Sequence, residues 1–225
     1  MSGPDYGESF AAWRAAAGET WQAYSRHAFV EGLRSGTLPE AAFLNYLQQD
    51  YVFLIHFSRA WSLAVVKAGS LEEMKAASAT VHALLHFEMD LHIRSCEAAG
   101  ISREILEATR EAPENLAYTR YVLETGYSGD FLDLLAALAP CVLGYGEIGA
   151  RLLRESGETR YRDWIETYGS AEYQQLCRDT GALIDQAVCS RLGGEAQNLP
   201  RWKDLERHFI TATELEAGFW GLGRA

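Results

Sequence analysis

Apolar residues recur every three or four positions along almost the whole chain, and alternation of period two is absent. That single period prescribes helices, and each helix must bury its stripe against another. Roughly eight or more segments carry it, too many for a simple four-helix bundle. The expected fold class is therefore all-α, a multi-helix bundle.

The first helix is expected from about Glu8 to Arg26, with Phe10, Trp13, Ala17, Trp21 and Tyr24 on its apolar side. A short one, Phe29–Arg34, follows the turn at His27. Thr37 and Glu40 have capping-box spacing with Pro39 in the first turn, which predicts a long helix over Leu38–Lys67. Ser70 and Glu73 repeat the box before a helix over Leu71–Ala99, ended by Gly100. Shorter helices start at Ser102 and near Pro113, and the most apolar one covers Phe131–Leu153. Ser170 starts a helix to about Arg191, and Asn198 with Pro200 opens the last.

With 225 residues and 48% hydrophobic content, the chain is expected to fold as one domain over residues 1–225. A formal charge of -11 argues against nucleic-acid binding and against docking on anionic membranes. No apolar run of transmembrane length and no signal-peptide pattern is read in the sequence. Cys96, Cys141, Cys177 and Cys189 have no CxxC spacing, the pattern of reduced thiols in the cytoplasm.

In Phe131–Leu153, Leu134, Leu138, Cys141, Tyr145, Ile148 and Leu152 form one helical face, with Pro140 directly before the thiol. A proline inside a helix deprives the carbonyl four residues back of its partner and should kink the helix. If the helix breaks there, Cys141 enters the first turn of a new one, where the dipole favours the thiolate.

Three acids occupy core positions of apolar stripes: Asp50 among the aromatics of the long helix, Glu88, and Glu216 of the last helix. A buried carboxylate needs a partner or a raised pKa. His92, four residues after Glu88, supplies Glu88 with a local partner and makes it the structural member of the three. Together with Cys141 and many tyrosines, the acids suggest a polar pocket for a flat nitrogen heterocycle. Carboxylates would bind the amidine-like edge, rings would stack on the ring, and the thiol would add to an electron-poor carbon.

A carboxylate-bridged di-iron bundle uses Glu-x-x-His pairs, which are missing, and no histidine stands between His92 and His208, so no metal is expected. His82 and His86 read as a solvated helix face. Haem ligation by His27 stays open, with GYGEIG allowing a backbone to approach a macrocycle.

The blocks HAFVEGLRSGTLPEAAFLNYLQQDYVFL, LAPCVLGYGEIG, WIETYGS and ELEAGFWGL, in order from about Trp21 to Gly223, resemble the TenA family, the thiaminase II enzymes. The resemblance implies a haem-oxygenase-like fold without haem, no cofactor, and a homotetramer. It implies hydrolysis at the aminomethyl carbon of 4-amino-5-aminomethyl-2-methylpyrimidine, or of thiamin, to the hydroxymethylpyrimidine that feeds thiamin synthesis. Cys141 of the Pro-Cys block matches the family nucleophile, and Glu216 matches the acid/base glutamate. Asp50 matches the aspartate that binds the pyrimidine's nitrogen edge, and Tyr118, Tyr145 and Tyr168 match the pocket tyrosines.

Phe53 departs from the pattern, since the family often has tyrosine three residues after the aspartate. The missing hydroxyl bears on rate or substrate preference. Two other readings are kept: a pyrimidine-binding carrier or regulator without turnover, and a helical oxygenase using iron or haem.

Overall fold

Side-chain oxygens set several helix starts where their spacing predicts them. Ser70 Oγ accepts the Glu73 N–H at 3.2 Å, while the Glu73 carboxylate accepts the Gly69 N–H at 2.7 Å. Ser102 and Ser170 cap in the same way, accepting the N–H groups of Ile105 and Tyr173. Pro113 sits in a first turn, where its missing N–H costs nothing.

The computed structural model describes residues 4–223, and among these it contains eleven α-helices and no strand. They are α1 Glu8–Ser25, α2 Ala28–Ser35, α3 Glu40–Lys67, α4 Leu71–Ala83, α5 Met89–Ala98 and α6 Arg103–Glu107. There follow α7 Pro113–Ser128, α8 Phe131–Glu155, α9 Arg162–Gly169, α10 Ala171–Leu192 and α11 Pro200–Trp220. The all-α expectation holds.

Three local expectations do not. The box at Thr37 does not form: its hydroxyl bonds Ser35 Oγ at 2.8 Å, Pro39 takes the N-cap position, and α3 begins at Glu40. The helix expected over Leu71–Ala99 is interrupted by a π-helical stretch, Leu84–Glu88, between α4 and α5. Along this stretch Met74, Leu85 and Leu91 are exposed while Ala77, Leu84, Ile93 and Cys96 are buried, and the wider turn shifts the register of the residues after it. Helix α1 is kinked at Gly18, whose φ is 48°.

The described residues pack as two units. The first comprises Leu135–Ala217 with the chain up to Leu38. Its core stacks Trp21 on Phe209 at 5.5 Å, with Phe10 edge-on to Trp21 and Trp13 against Trp202. Ion pairing fixes α1 on α8: the Arg14 guanidinium grips Glu147 at 2.6 and 2.7 Å, and Trp21 Nε1 donates to the same carboxylate. Asp185 of α10 caps α1 from outside, accepting the N–H groups of Glu8 and Ser9 at 2.8 Å each.

The second unit comprises Pro39–Leu134 with the residues from Gly218 onward. Its axis is α3, whose stripe of Tyr46, Leu47, Asp50, Phe53, Leu54, Phe57 and Trp61 is buried as expected. A polar tie at the start of α7 completes it. Gln49 donates to the Arg110 carbonyl and accepts from the Ala112 N–H, and Asn115 donates to the Gln49 carbonyl at 2.8 Å.

Helix α8 corrects one further reading. It is long and apolar enough to meet the length and hydropathy of a membrane span, although none was read in the sequence. However, 94% of its most apolar window is buried within the protein. Its apolar surface is therefore consumed by the core.

Candidate functional site

The helix through Pro140 is unbroken, so Cys141 lies in the middle of α8 and not in a first turn. The helix end that the sequence offered to favour the thiolate is therefore absent there. Cys141 is 8% exposed, and Tyr145, one turn on along the same face, is 5% exposed. Tyr24 donates to the Pro140 carbonyl at 3.2 Å, which holds this part of α8 against α1.

Tyr145 meets Tyr168 edge to face with ring centroids 4.9 Å apart. Trp164 closes the triangle at 5.9 Å from Tyr145 and 4.6 Å from Tyr168. Tyr173 abuts Tyr168 at 5.0 Å. The first unit thus brings two of the predicted residues, Tyr145 and Tyr168, into one aromatic wall and adds Trp164 and Tyr173, which sequence reasoning did not single out for the site.

The glycines of GYGEIG explain why this wall is so close to α8. A Cβ on Gly149 would stand 2.3 Å from the Tyr168 carbonyl carbon, and one on Gly146 would stand 2.3 Å from Cys177 Sγ. The approach reserved in the sequence for a macrocycle is taken by the protein's own backbone and thiol. Gln174 locks it, donating to the carbonyls of Gly146 and Tyr168 at 3.0 Å each while Tyr6 donates to its oxygen. Among the candidate haem contacts, His27 caps α2, its Nδ1 accepting the Phe29 N–H at 3.2 Å.

Glu216 belongs to the same unit and is 1% exposed on the α11 stripe between Thr213 and Phe219. The other predicted residues lie in the second unit. Phe53 stacks on Tyr118 at 5.3 Å and on Phe57 at 5.2 Å, with Phe219 at 5.5 Å. Tyr46, one turn before Asp50, packs against Phe219 and Trp220. Asp50, Phe53 and Tyr118 are thereby gathered in one aromatic surround, joined by Tyr46 and Phe219, which the sequence did not single out for the site.

Burial pushes the Asp50 carboxyl up to about 7, against a smaller downward pull from the Tyr46 phenol. The half-buried Glu88 is also raised to about 7, by burial and then by the charge of Asp50. His92 does not serve Glu88 as its position in the helix suggested. Its Nδ1 faces Asp50 Oδ2 at 3.4 Å, and its Nε2 is 2.8 Å from the Leu47 carbonyl. A carbonyl only accepts, so Nε2 carries the proton and Nδ1 presents its lone pair to Asp50. Burial pushes the imidazole below its ordinary pKa, so just below pH 7 a neutral ring beside a neutral carboxyl is the favoured state.

Among the described residues, no group of three or more His, Cys, Asp or Glu side chains is placed to hold a metal ion. In the second unit a buried carboxyl among stacked rings has the chemistry to recognise a planar heterocycle, and the first unit holds a buried thiol, a buried carboxyl and an aromatic wall.

These features define a class: an all-helical protein with apolar, ring-lined surroundings for buried acids and a thiol. Its fold is haem-oxygenase-like. A domain of unknown function with a heme oxygenase-like fold from Shewanella denitrificans superposes with a TM-score of 0.72 at 11% identity, covering 94% of this chain and 90% of that one. The chain belongs to the TENA/THI-4/PQQC family, whose model matches residues 14–224. A TenA family transcription regulator from Silicibacter sp. TM1040 is 63% identical with a TM-score of 0.96, covering 97% of both chains. The aminopyrimidine aminohydrolase of Halalkalibacterium halodurans is 36% identical over 205 residues, 90% of this chain and 89% of that protein.

Proposed function

We propose that the protein is an aminopyrimidine aminohydrolase. It would cleave the aminomethyl C–N bond of 4-amino-5-aminomethyl-2-methylpyrimidine, and the corresponding bond of thiamin, to give the hydroxymethylpyrimidine used in thiamin salvage. The observation that carries this reading is the 36% identity to the Halalkalibacterium halodurans enzyme across nine-tenths of the chain. The chemistry of the residues supports it.

Asp50 receives the ring's amidine edge, with Phe53 and Tyr118 as stacking surfaces in its surround and Tyr145 and Tyr168 as further ring contacts. Cys141 adds as thiolate to the protonated pyrimidine, and Glu216 moves the protons. The amine leaves from the exocyclic methylene, water adds there, and the thiolate is expelled. No cofactor takes part. The cytoplasm is the proposed compartment and a homotetramer the proposed assembly. Apolar side chains left exposed, among them Leu71, Met74, Leu85 and Phe87, support association between copies.

Two observations favour a second reading. The 63% identical structure carries the description of a transcription regulator, and Phe53 lacks the hydroxyl often found at its position. On that reading the protein binds a pyrimidine without turning it over. The net charge of -11 opposes direct DNA binding.

The mechanism is tested by Cys141→Ser. We expect turnover of the aminomethylpyrimidine to fall at least about a thousandfold while the variant still binds the hydroxymethyl product. Near-parental ammonia release from the serine variant would rule out covalent addition. No release from the parent protein would favour the binding-only reading.

A further inference from the structure

We propose that His92 is a positioning residue for pyrimidine recognition, holding one proton jointly with Asp50 so that Asp50 can meet the ring as a carboxylate. The inference rests on the reading that Asp50 binds the pyrimidine's nitrogen edge. Its basis is a geometry in which each imidazole nitrogen has a distinct task. Nε2 is committed to the Leu47 carbonyl at 2.8 Å, one helical turn before Asp50 on α3. That bond fixes the tautomer and the ring plane, and it aims the lone pair of Nδ1 at Asp50 Oδ2, 3.4 Å away.

The proton count follows. In the empty protein one proton is held between Oδ2 and Nδ1, and the pair is uncharged overall. A 4-aminopyrimidine protonated on its ring nitrogen presents two N–H donors side by side, an edge that matches an ionised carboxylate and not a carboxylic acid. On binding, the carboxyl proton passes from Oδ2 to Nδ1, where it is retained as imidazolium. Asp50 then faces the ring as a carboxylate between two positive neighbours, and no proton is released to solvent. The 3.4 Å separation is long for a hydrogen bond and would shorten in the bound state, as such contacts do when a ligand completes them.

The neighbouring groups fit this assignment. The titratable groups set around Asp50 within its unit include Tyr46 on α3, Glu88 at the end of the π stretch, and His92 and Cys96 on α5. Tyr46 donates to the carboxyl and favours its ionised form. Cys96 is held as a thiol by burial and supplies no charge. Glu88 is raised by burial and by the charge of Asp50, so a second negative charge beside Asp50 is disfavoured. The π stretch sets the rotation at which α5 presents this histidine to α3, a common use of π-helical insertions.

Two amide substitutions separate this role from a structural tie. In His92→Gln the amide can replace Nε2 and keep the bond to Leu47 while losing the contact to Asp50. In His92→Asn the amide can replace Nδ1 and keep the Asp50 contact while losing Leu47. We expect His92→Gln to raise KM for the aminomethylpyrimidine about tenfold with kcat changed far less, at an unchanged melting temperature. His92→Asn should raise KM less. The opposite order, with His92→Gln parental and His92→Asn both impaired and less stable, would overturn the proposal and leave His92 as a tie between helices. Asp50→Asn, assayed alongside, separates the two levels of inference. A raised KM there with a parental His92→Gln rejects the role of His92 alone, whereas an unchanged KM in Asp50→Asn removes the reading on which it rests.

Discussion

Asp50 shows how much a single position on a stripe can reveal. An acid among Tyr46, Phe53 and Phe57 at helical spacing has to be buried, and it is 5% exposed. Its partner was not legible. Glu88 and His92 are neighbours in sequence, whereas the contact that forms is between His92 and Asp50 on another helix, which one-dimensional spacing cannot supply. The consequence is a stability effect with a defined sign. Asp50 is raised from 3.8 to about 7 and Glu88 from 4.5 to about 7, so over this window the folded state binds more protons than the unfolded chain. Their contribution to stability is then lost as pH rises from about 4 to about 7 and is constant above it. His92, lowered from 6.5, acts in the opposite direction below that value. The drop in melting temperature between pH 5 and pH 8 should therefore be smaller by several degrees in Asp50→Asn than in the parent. Equal drops in the two proteins would contradict the assignment.

At the scale of elements, helix starts carrying a serine cap were legible because capping is local chemistry: Ser70, Ser102 and Ser170 all act as their spacing predicts. Thr37 shows the limit. Its hydroxyl had a competing partner in Ser35, and α3 starts later than the box would place it. The π stretch was not legible because one wide turn leaves no composition signal, yet it displaces every later residue on its face. At Pro140 the outright break, which the sequence left as one possibility, does not occur: α8 continues through it. The aromatic wall was half legible: Tyr145 and Tyr168 came from the family resemblance, whereas Trp164, Tyr173 and the bridging Gln174 depend on the packing of α8, α9 and α10.

For the whole molecule, the helical period sufficed for the fold class, and α8 shows why hydropathy alone does not decide environment. Its apolar length would suit a bilayer, but the core occupies it. Apolar surface that the chain leaves exposed is the remaining clue to assembly, with Phe87 at 64% and Leu71 at 63% exposure. Light scattering at micromolar concentration should give four times the monomer mass of 25.0 kDa, and Phe87→Glu should shift it downward. A parent protein that remains monomeric would remove the assembly proposal without touching the chemistry.

Hydrolysis itself is the central claim. The direct measurement is to incubate the purified protein with 4-amino-5-aminomethyl-2-methylpyrimidine and, separately, with thiamin, and to quantify hydroxymethylpyrimidine and ammonia. The account predicts stoichiometric hydroxymethylpyrimidine and ammonia from the aminomethyl compound, abolished in Cys141→Ser. Tight binding of either compound with no product formed would contradict it.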